Sequence, residues 1–325
     1  MKLATLKADN RDGVLVVVSK DLSRAVRVRS IAPTLQCAIE NWHSAEPELE
    51  ACYQALNAGE MAGDFPFVSQ EAAAPLPRAY QWCDASAFLN HGKLMQQAFN
   101  LPAHEDAETT PLMYQGASDD FLGPCDDICL PDEADGIDFE GEYGVIVDDI
   151  PLGCPADKAT SHIRLLVLVN DVSLRAFAPR EMKSGFGFLH AKPSSSFGPV
   201  AVTPDELGEH WRNGRIELPL QVSLNGEWFG SPNGREMSFS FGELIAHAAK
   251  TRRLGAGTIV GSGTVSNADR SAGSACITER RTIEIIDNGV PSTPFLKFGD
   301  CVRMQVLDPH GVSVFGDIEQ TVRPS

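Results

Sequence analysis

The chain has 325 residues, and its 27 Lys and Arg residues against 44 Asp and Glu residues give a formal net charge of −17. A surface of that sign repels phosphate backbones, which argues against nucleic acid as a partner. Hydrophobic residues make up 43% of the chain, yet no apolar run reaches the roughly 18 residues of a membrane span. The composition therefore predicts a soluble globular protein with a sizeable core and no membrane partner.

Eight cysteines are spread along the chain without the rhythm of a disulfide framework. Cys125 and Cys129 form the only close pair, and no second pair follows, as a zinc-binding motif usually requires. We therefore expect reduced thiols. Because the first residues also lack the apolar stretch of a secretory signal, the sequence predicts a cytoplasmic protein.

The first part of the chain predicts a small β-rich domain over residues 1–75. Residues 13–18 and 25–30 are rich in Val and flank a short polar segment, which favours a hairpin of two strands. Apolar residues at helical spacing predict a helix over 46–56. Prolines and an Ala run over 65–78 indicate a linker to a second domain, residues 76–325.

The second domain shows short strands and long loops, with one clear helix at 241–250. Because strands and helices do not alternate at the spacing of βαβ units, a doubly wound sheet is disfavoured and a β-rich α+β fold is predicted. The predicted strands are 138–147, 163–170, 217–224, 258–260, 282–286, 302–307 and 312–315.

Two glutamates predict a cation site. Glu140 and Glu142 are two positions apart in a predicted strand, so both side chains point to one face. Asp171 follows the apolar strand 163–170 and is well placed to join them. Carboxylate ligands favour a divalent cation such as Mg²⁺, Ca²⁺ or Mn²⁺ over zinc. The alternative is a solvated acidic edge strand.

Four ordered blocks make the chain, from about residue 80 onward, similar to the fumarylacetoacetate hydrolase family. The blocks are Glu140-Gly-Glu142, Asn170-Asp-Val-Ser-Leu-Arg175, Lys192 and Gly261-Ser-Gly-Thr264-Val-Ser. The resemblance implies a mixed β-roll catalytic domain with a divalent cation on Glu140, Glu142 and Asp171. Residues 1–75 resemble, less specifically, the small N-terminal β domain of some members.

The resemblance also implies an acid–base group. Asp84 and His91 are seven positions apart, which places both on one face if the segment is helical. In the family, the aspartate of such a pair is a fourth metal ligand and the histidine is the general base, while a glutamate at the position of Glu279 orients the base. The alternatives are a surface or core histidine, and an ion pair between Glu279 and a neighbouring arginine.

Four further residues match substrate-contacting positions of the family. The resemblance implies that Lys192 receives substrate oxyanion charge, that Arg175 binds a substrate carboxylate, and that Tyr114 and Thr264 line the pocket. A solvated loop lysine, a core tyrosine and a plain turn at Thr264 are the alternatives. Family hydrolases carry a Gln where this chain has Ala178, so one substrate contact is missing or is supplied from elsewhere.

The function implied by the resemblance is hydrolysis of a carbon–carbon bond in a β-diketo acid of the fumarylacetoacetate or acylpyruvate type, through a metal-stabilised enolate. Aromatic compound catabolism is the expected setting, a small-molecule keto acid the expected partner and a homodimer the expected assembly. A decarboxylase, isomerase or hydratase on a related keto acid, or a non-catalytic metal-binding homologue, remains the alternative.

Overall fold

The computed structural model describes residues 1–100 and 106–325. The helices are α1 (Leu35–Glu40), α2 (Trp42–Asn57), α3 (Leu89–Phe99), α4 (Ala156–Ala159), α5 (Ala178–Ser184), α6 (Phe241–Ala248) and α7 (Ile277–Asn288). Within these described ranges, no helix combines the length and the apolar character needed to cross a membrane.

The described residues form twenty short strands. They are β1 (Lys2–Leu6), β2 (Val14–Val18), β3 (Arg24–Arg27), β4 (Phe65–Pro66), β5 (Trp82–Ala85), β6 (Met113–Gln115), β7 (Ile128–Leu130), β8 (Ile137–Asp138), β9 (Gly141–Val147), β10 (Ile163–Asn170), β11 (Ser173–Leu174), β12 (Ser196–Phe197), β13 (Ala201–Val202), β14 (Trp211–Arg212), β15 (Arg215–Ile216), β16 (Leu220–Leu224), β17 (Glu227–Gly230), β18 (Ile259–Gly261), β19 (Cys301–Val306) and β20 (Ile318–Pro324).

The largest sheet has the strand order β4-β3-β2-β1-β13-β10-β9-β18-β5-β6, with β12 also paired to β10. A second sheet has the order β17-β16-β19-β20-β7. This mixed, sheet-rich architecture confirms the predicted α+β class. In the described part of the chain, the large sheet is open between β4 and β6 and does not close into a barrel.

The N-terminal strands continue the large sheet instead of forming a sheet of their own. The predicted hairpin is confirmed, because β2 pairs antiparallel with β3. β1 pairs with β2 on one side and with β13 on the other. The predicted linker 65–78 contributes β4 to the sheet and an isolated bridge between Leu6 and Ala72. Backbone hydrogen bonds therefore fix this segment to the sheet, and its place as the linker between two domains stays a prediction.

Two predicted strands are not strands. Residues 282–286 lie in α7, although their β-branched side chains favour a strand. Cys276 caps the N-terminus of this helix, Gly289 ends it at a φ of 81°, and Ile277, Glu279 and Thr282 are its buried residues. Residues 312–315 form one isolated bridge, between Ser313 and Leu307, in place of a strand, and the preceding turn is held by the Asp308 carboxylate, which accepts the N–H groups of His310 and Val312, each at 2.8 Å.

The centre of the large sheet is buried on both faces. Along β9 and β10, alternate side chains enter two separate apolar clusters: Val145 and Leu166 point into one, and Ile146 and Val167 into the other. A strand covered on both faces is a rigid support. The residues at the end of this strand pair are therefore held in fixed positions inside the protein.

Candidate functional site

Strands β9 and β10 bring three of the predicted acidic residues together. The strands are antiparallel, with Glu142 opposite Val169. Just beyond the paired ends, the Asp171 N–H donates to the Glu140 carbonyl oxygen at 2.9 Å. Both glutamates and Asp171 are buried, so these carboxyl groups lie in the interior and do not form a solvated edge.

Asp84, from a different strand, lies near the carboxyl groups at the end of the β9–β10 pair. β5 runs parallel to β18, with Asp84 opposite Gly261. A Cβ atom on Gly261 would collide with the Asp84 carboxylate and with the Trp82 ring. Gly263 has a φ of 75°, and its N–H donates to Asp84 Oδ1 at 3.1 Å. Both glycines are needed for the carboxylate to lie against the backbone.

Asp84, Glu142 and Asp171 form a buried carboxylate cluster, which we call the acid trio. One carboxylate oxygen of each lies within 4.8 Å of the others. Burial, followed by repulsion from Asp171, raises the pKa of Asp84 to about 8. Burial and the charges of Asp84 and Asp171 raise the pKa of Glu142 well above its usual range. The three groups therefore repel one another when ionised.

The acid trio fits a divalent cation. Both side-chain oxygens of Glu142 are buried and have no hydrogen-bond partner among the described residues. A buried carboxylate without a partner is costly unless a proton or a cation compensates it. An all-oxygen donor set matches Mg²⁺, Ca²⁺ or Mn²⁺. Asp84, Glu142 and Asp171 are thus the residues that can hold such an ion.

Glu140 has a different environment from the acid trio. Its Oε2 accepts from Lys192 Nζ at 2.5 Å, and its Oε1 accepts from Arg175 Nη2 at 2.5 Å. Burial alone would raise the pKa of Glu140, but the charges of Arg175 and Lys192 outweigh it and hold the pKa below its usual range. The predicted ligand Glu140 is therefore already neutralised by the chain's own cations, although its remaining lone pairs leave room for a further contact.

Asp171 connects the acid trio to the predicted substrate-contacting residues. Lys192 Nζ donates to Asp171 Oδ2 at 2.5 Å, and the Tyr114 hydroxyl donates to the same oxygen at 2.6 Å. Ser195 donates to Oδ1 at 2.7 Å. Sequence reasoning missed Ser195, although its place in a Ser-rich loop three residues after Lys192 was a usable signal.

His91 and Glu279 form the predicted pair. His91 Nδ1 lies 2.8 Å from Glu279 Oε2, and the Glu279 side chain is 1% exposed. The helical argument that placed His91 with Asp84 was wrong, because Asp84 lies in β5 and His91 in α3.

Asp138 is a functional neighbour that sequence reasoning missed. Its carboxylate accepts the Ile277 and Thr278 N–H groups at 2.8 and 2.9 Å, which satisfies the first turn of α7. It also accepts from Arg175 Nε at 2.8 Å. Its position two residues before Glu140 could have indicated this, because side chains two positions apart in a strand point to the same face. Asp138 therefore links the helix that carries Glu279 to the Arg175–Glu140 pair.

Two predicted substrate contacts have structural neighbours of their own. Arg175 uses Nε and Nη2 on Asp138 and Glu140, and its side chain is 18% exposed. Thr264 is buried next to Gly263, whose N–H contacts Asp84. Thr264 thus directly follows the glycine that contacts Asp84, whereas Arg175 and Lys192 bind different oxygens of Glu140.

Comparison with known proteins matches both parts of the chain. Residues 81–323 match the model described as fumarylacetoacetate (FAA) hydrolase C-terminal, and residues 1–78 match fumarylacetoacetase N-terminal domain 2. The chain belongs to the fumarylacetoacetate hydrolase family. Family membership agrees with the resemblance carried by the four sequence blocks.

Relatives within the family have several activities. The chain is 30% identical over 159 residues to 2,4-didehydro-3-deoxy-L-rhamnonate hydrolase of Sphingomonas sp. (strain SKA58), in a match that covers 48% of this chain and 53% of that protein. The chain therefore spans about half the length of that relative. It is 24% identical over 325 residues to oxaloacetate tautomerase YisK of Bacillus subtilis (strain 168), which covers 96% and 98% of the two chains.

A solved structure shows the same fold. Maleylpyruvate hydrolase from Sphingobium sp. SYK-6, in complex with manganese(II) ion and pyruvate, has a TM-score of 0.66 and 16% sequence identity. The superposition covers 100% of both chains. The relatives that this chain matches thus include hydrolases and a tautomerase, and the maleylpyruvate hydrolase has the same fold.

Proposed function

We propose that the protein is a divalent-cation-dependent enzyme that hydrolyses a carbon–carbon bond in a β-diketo acid. The observation that carries this proposal is the acid trio, with its unpartnered Glu142 carboxylate, next to a paired histidine. His91 lies within 4.8 Å of Glu140, whose partner Lys192 also contacts Asp171. An ion site, a base and a cation are therefore within reach of one small substrate.

In this proposal Asp84, Glu142 and Asp171 hold the ion. A bound divalent cation would polarise the carbonyl oxygens of a keto acid as a Lewis acid. Lys192 contacts the trio only at Asp171 among the described residues, and it is shared with Glu140, so the ionised trio keeps a negative charge that favours cation binding. Tyr114 and Ser195 fix the orientation of the Asp171 carboxylate through their hydroxyl groups.

His91 is the proposed base. Glu279 holds the Nδ1 proton and thereby leaves Nε2 free to accept a proton from water. Because Glu279 is buried and comes from α7, the ring has a fixed direction. A positioned histidine base contributes about 10²–10⁴ in rate.

Lys192 is the proposed stabiliser of negative charge on the substrate. Its ammonium group has three N–H donors, and two of them are used on Glu140 and Asp171. The third is free to reach an oxygen of the substrate. Asp138 and Glu140 accept from Nε and Nη2 of Arg175. In this proposal Arg175 binds a substrate carboxylate through its remaining N–H groups.

Tautomerisation of a keto acid is the second candidate. The observation in its favour is the match to oxaloacetate tautomerase YisK along nearly the whole chain. Both reactions move a proton next to a polarised carbonyl group, but only hydrolysis consumes water and breaks a carbon–carbon bond. The His91–Glu279 pair beside the acid trio favours water activation and hence hydrolysis.

A turnover screen separates these functions. The purified protein is assayed with acylpyruvates, fumarylacetoacetate and the enol form of oxaloacetate, in Mg²⁺, Mn²⁺ or Ca²⁺ and after chelation. Hydrolysis releases two acids, whereas tautomerisation changes the enol absorbance with no new product. The Glu142→Gln variant is the matched control for cation dependence. Equal turnover of any substrate by chelated and loaded protein would contradict the proposal.

A further inference from the structure

A loop outside the acid trio leads directly to Lys192. It comprises residues 185–191, which follow the end of α5, and we call it the 185–191 loop. Gly185 and Gly187 have φ values of 75° and 95°, and Phe186 is 98% exposed. Because most of its side chains lie outside the core, apolar packing stabilises this loop only weakly, and polar contacts must fix its path.

One carboxylate supplies these polar contacts. Glu181 Oε2 accepts the N–H groups of Leu189 and Ala191 at 2.9 and 3.1 Å, and Oε1 accepts the His190 N–H at 2.9 Å. Burial acts to raise the pKa of Glu181, but the three N–H groups outweigh it and hold the pKa below its usual range. The acceptor is therefore ionised at neutral pH, and its hydrogen bonds are charge-assisted.

The last of these contacts lies next to the proposed stabiliser of substrate charge. Ala191 donates its N–H to Glu181, and its carbonyl oxygen accepts the Leu174 N–H at 2.8 Å. Lys192 follows immediately, and its Nζ donates to two carboxylates of the site at 2.5 Å. The backbone from which the lysine side chain extends is thus held by hydrogen bonds to two different segments.

Glu181 also connects this backbone to the segment that carries Arg175. The helix α5, to which Glu181 belongs, begins three residues after Arg175. Arg175 and Lys192 bind different oxygens of the Glu140 carboxylate. A carboxylate on α5 that binds the backbone next to Lys192 therefore closes the stretch of chain between these two cations.

We propose that Glu181 is a positioning residue for the reaction and acts by holding Lys192 where its ammonium group meets the substrate. Without the carboxylate, three consecutive N–H groups lose their acceptor, and the 185–191 loop no longer fixes the start of the lysine segment. The proposal assigns no substrate contact to Glu181 itself. It rests on the proposed function, because that function gives Lys192 the charge-stabilising role.

The Glu181→Gln variant tests this with little change in side-chain shape. The amide keeps one acceptor oxygen, but its NH₂ group faces N–H donors and cannot accept from them. We expect kcat to fall by about 10–100-fold, because misplacing a reacting group by about an ångström costs that much. Glu243→Gln is the matched control, since it removes a carboxylate that accepts the Ser240 N–H at 2.7 Å in α6, and it should keep kcat.

A double-mutant cycle separates the positioning of Lys192 from a general structural role. Lys192→Met removes the ammonium group, so nothing remains for Glu181 to position. Adding Glu181→Gln to this variant should then lower kcat little further, because two residues that act as one unit are not additive. Losses that multiply, as they do for independent sites, would overturn the proposal.

Acylation of Lys192 reports its position without any enzyme assay. Wild-type protein and Glu181→Gln are treated with acetic anhydride, and the reaction rate of each lysine is measured by peptide mass spectrometry. Lys192 is buried in the wild type and should react several-fold faster in the variant. Lys2 is also buried, with its Nζ 2.8 Å from the Ser313 carbonyl oxygen, and serves as the internal reference whose rate should stay constant.

The outcomes are distinguishable. Faster acylation at Lys192 but not at Lys2, with a loss of kcat that disappears in the Lys192→Met background, supports the proposal. An unchanged Lys192 rate, or equal acceleration at Lys2, would overturn it. If Lys192→Met does not fold, the acylation rates decide. If the wild type turns over no substrate, the proposed function fails, whereas the acylation rates still show whether Glu181 holds Lys192.

Discussion

Glu140 and Glu142 are two residues apart, and the protein treats them in opposite ways. Glu140 is bound by Arg175 and Lys192, and its pKa is lowered. Glu142 faces Asp84 and Asp171 with no hydrogen-bond partner in the described chain, and its pKa is raised. The comparison teaches that the chain neutralises one carboxylate with its own cations and leaves the other for an ion from solution.

The largest expected effect is on Glu142. Glu142→Gln removes one of three charges from the acid trio but keeps the shape of the side chain. We expect cation binding and turnover to be lost, because too few anionic ligands remain. Titration calorimetry with Mg²⁺ and Mn²⁺ measures the affinity, and an affinity equal to that of the wild type would rule Glu142 out as a ligand.

The next effect concerns the base. His91→Ala should lower kcat by about two to four decades while the cation stays bound, because the proton acceptor is lost and the acid trio is not. Glu279→Gln should cost less, since it disturbs only the orientation of the ring. Metal content is measured on the same samples. A fully loaded His91→Ala enzyme with normal kcat would point to a different base.

The comparison also predicts opposite effects on stability. Glu140→Gln leaves Lys192 and Arg175 without a full counter-charge and should lower the free energy of unfolding by about 3–5 kcal/mol. Glu142→Gln in cation-free protein replaces a carboxyl group whose pKa is raised well above its usual range, so little charge is lost and stability should stay equal or rise. Urea unfolding of both variants after chelation provides the measurement. Destabilisation of equal size in both would show that the two glutamates have similar surroundings.

The pH dependence of cation binding follows from Asp84. Its pKa of about 8 means that the cation-free protein keeps this proton at neutral pH. The contribution of this proton to the stability of the cation-free fold is complete below about pH 4, where a free aspartate titrates, and it is lost progressively as pH rises to about 8. A cation must displace this proton and any proton held by Glu142, whose pKa is also raised, so Mg²⁺ affinity should rise by at least about tenfold per pH unit below 8. Calorimetry across this range would detect a flat profile, which would contradict the prediction.

The smallest effect is expected at Tyr114. Tyr114→Phe removes the hydroxyl that donates to Asp171 at 2.6 Å. A hydrogen bond to a charged group contributes about 1.5–3 kcal/mol, so the free energy of unfolding should fall by that amount. The exposed Tyr80→Phe is the control and should have no effect. If both substitutions are neutral in urea unfolding, the Tyr114 contact does not hold Asp171.

Sequence periodicity predicted the strands whose burial pattern can be read from consecutive residues. The alternation and the apolar runs identified β2, β9 and β10, because burial on fixed faces imposes that pattern. The same reasoning placed 282–286 in a strand, since Ile and Thr favour strands and the capping contact of Cys276 depends on tertiary structure. The resemblance to a family, and not periodicity, directed attention to His91 and Glu279.

The sequence spacing alone could not show which glutamate pairs with the chain's own cations and which one joins the acid trio. Glu140 and Glu142 are equivalent in the alternation, and only the folded chain decides which one meets Arg175 and Lys192. Asp138 was missed because its partners, Ile277 and Thr278, are about 140 positions away. The alternation with Glu140 places Asp138 on the same face as that glutamate, but a single sequence carries no signal for contacts across so large a separation.

The pairing of β1 with β13 determines the order in which the chain can fold. Lys2 lies opposite Val202, about 200 residues later. At a synthesis rate of about 5–20 residues per second, β13 follows β1 out of the ribosome by about 10–40 seconds. The β1–β2 hairpin therefore waits with one edge unpaired while the remainder is made, and closing such a distant contact is slow. Chaperones that bind exposed strand edges would therefore have the longest time to act in the interval between the synthesis of β1 and that of β13.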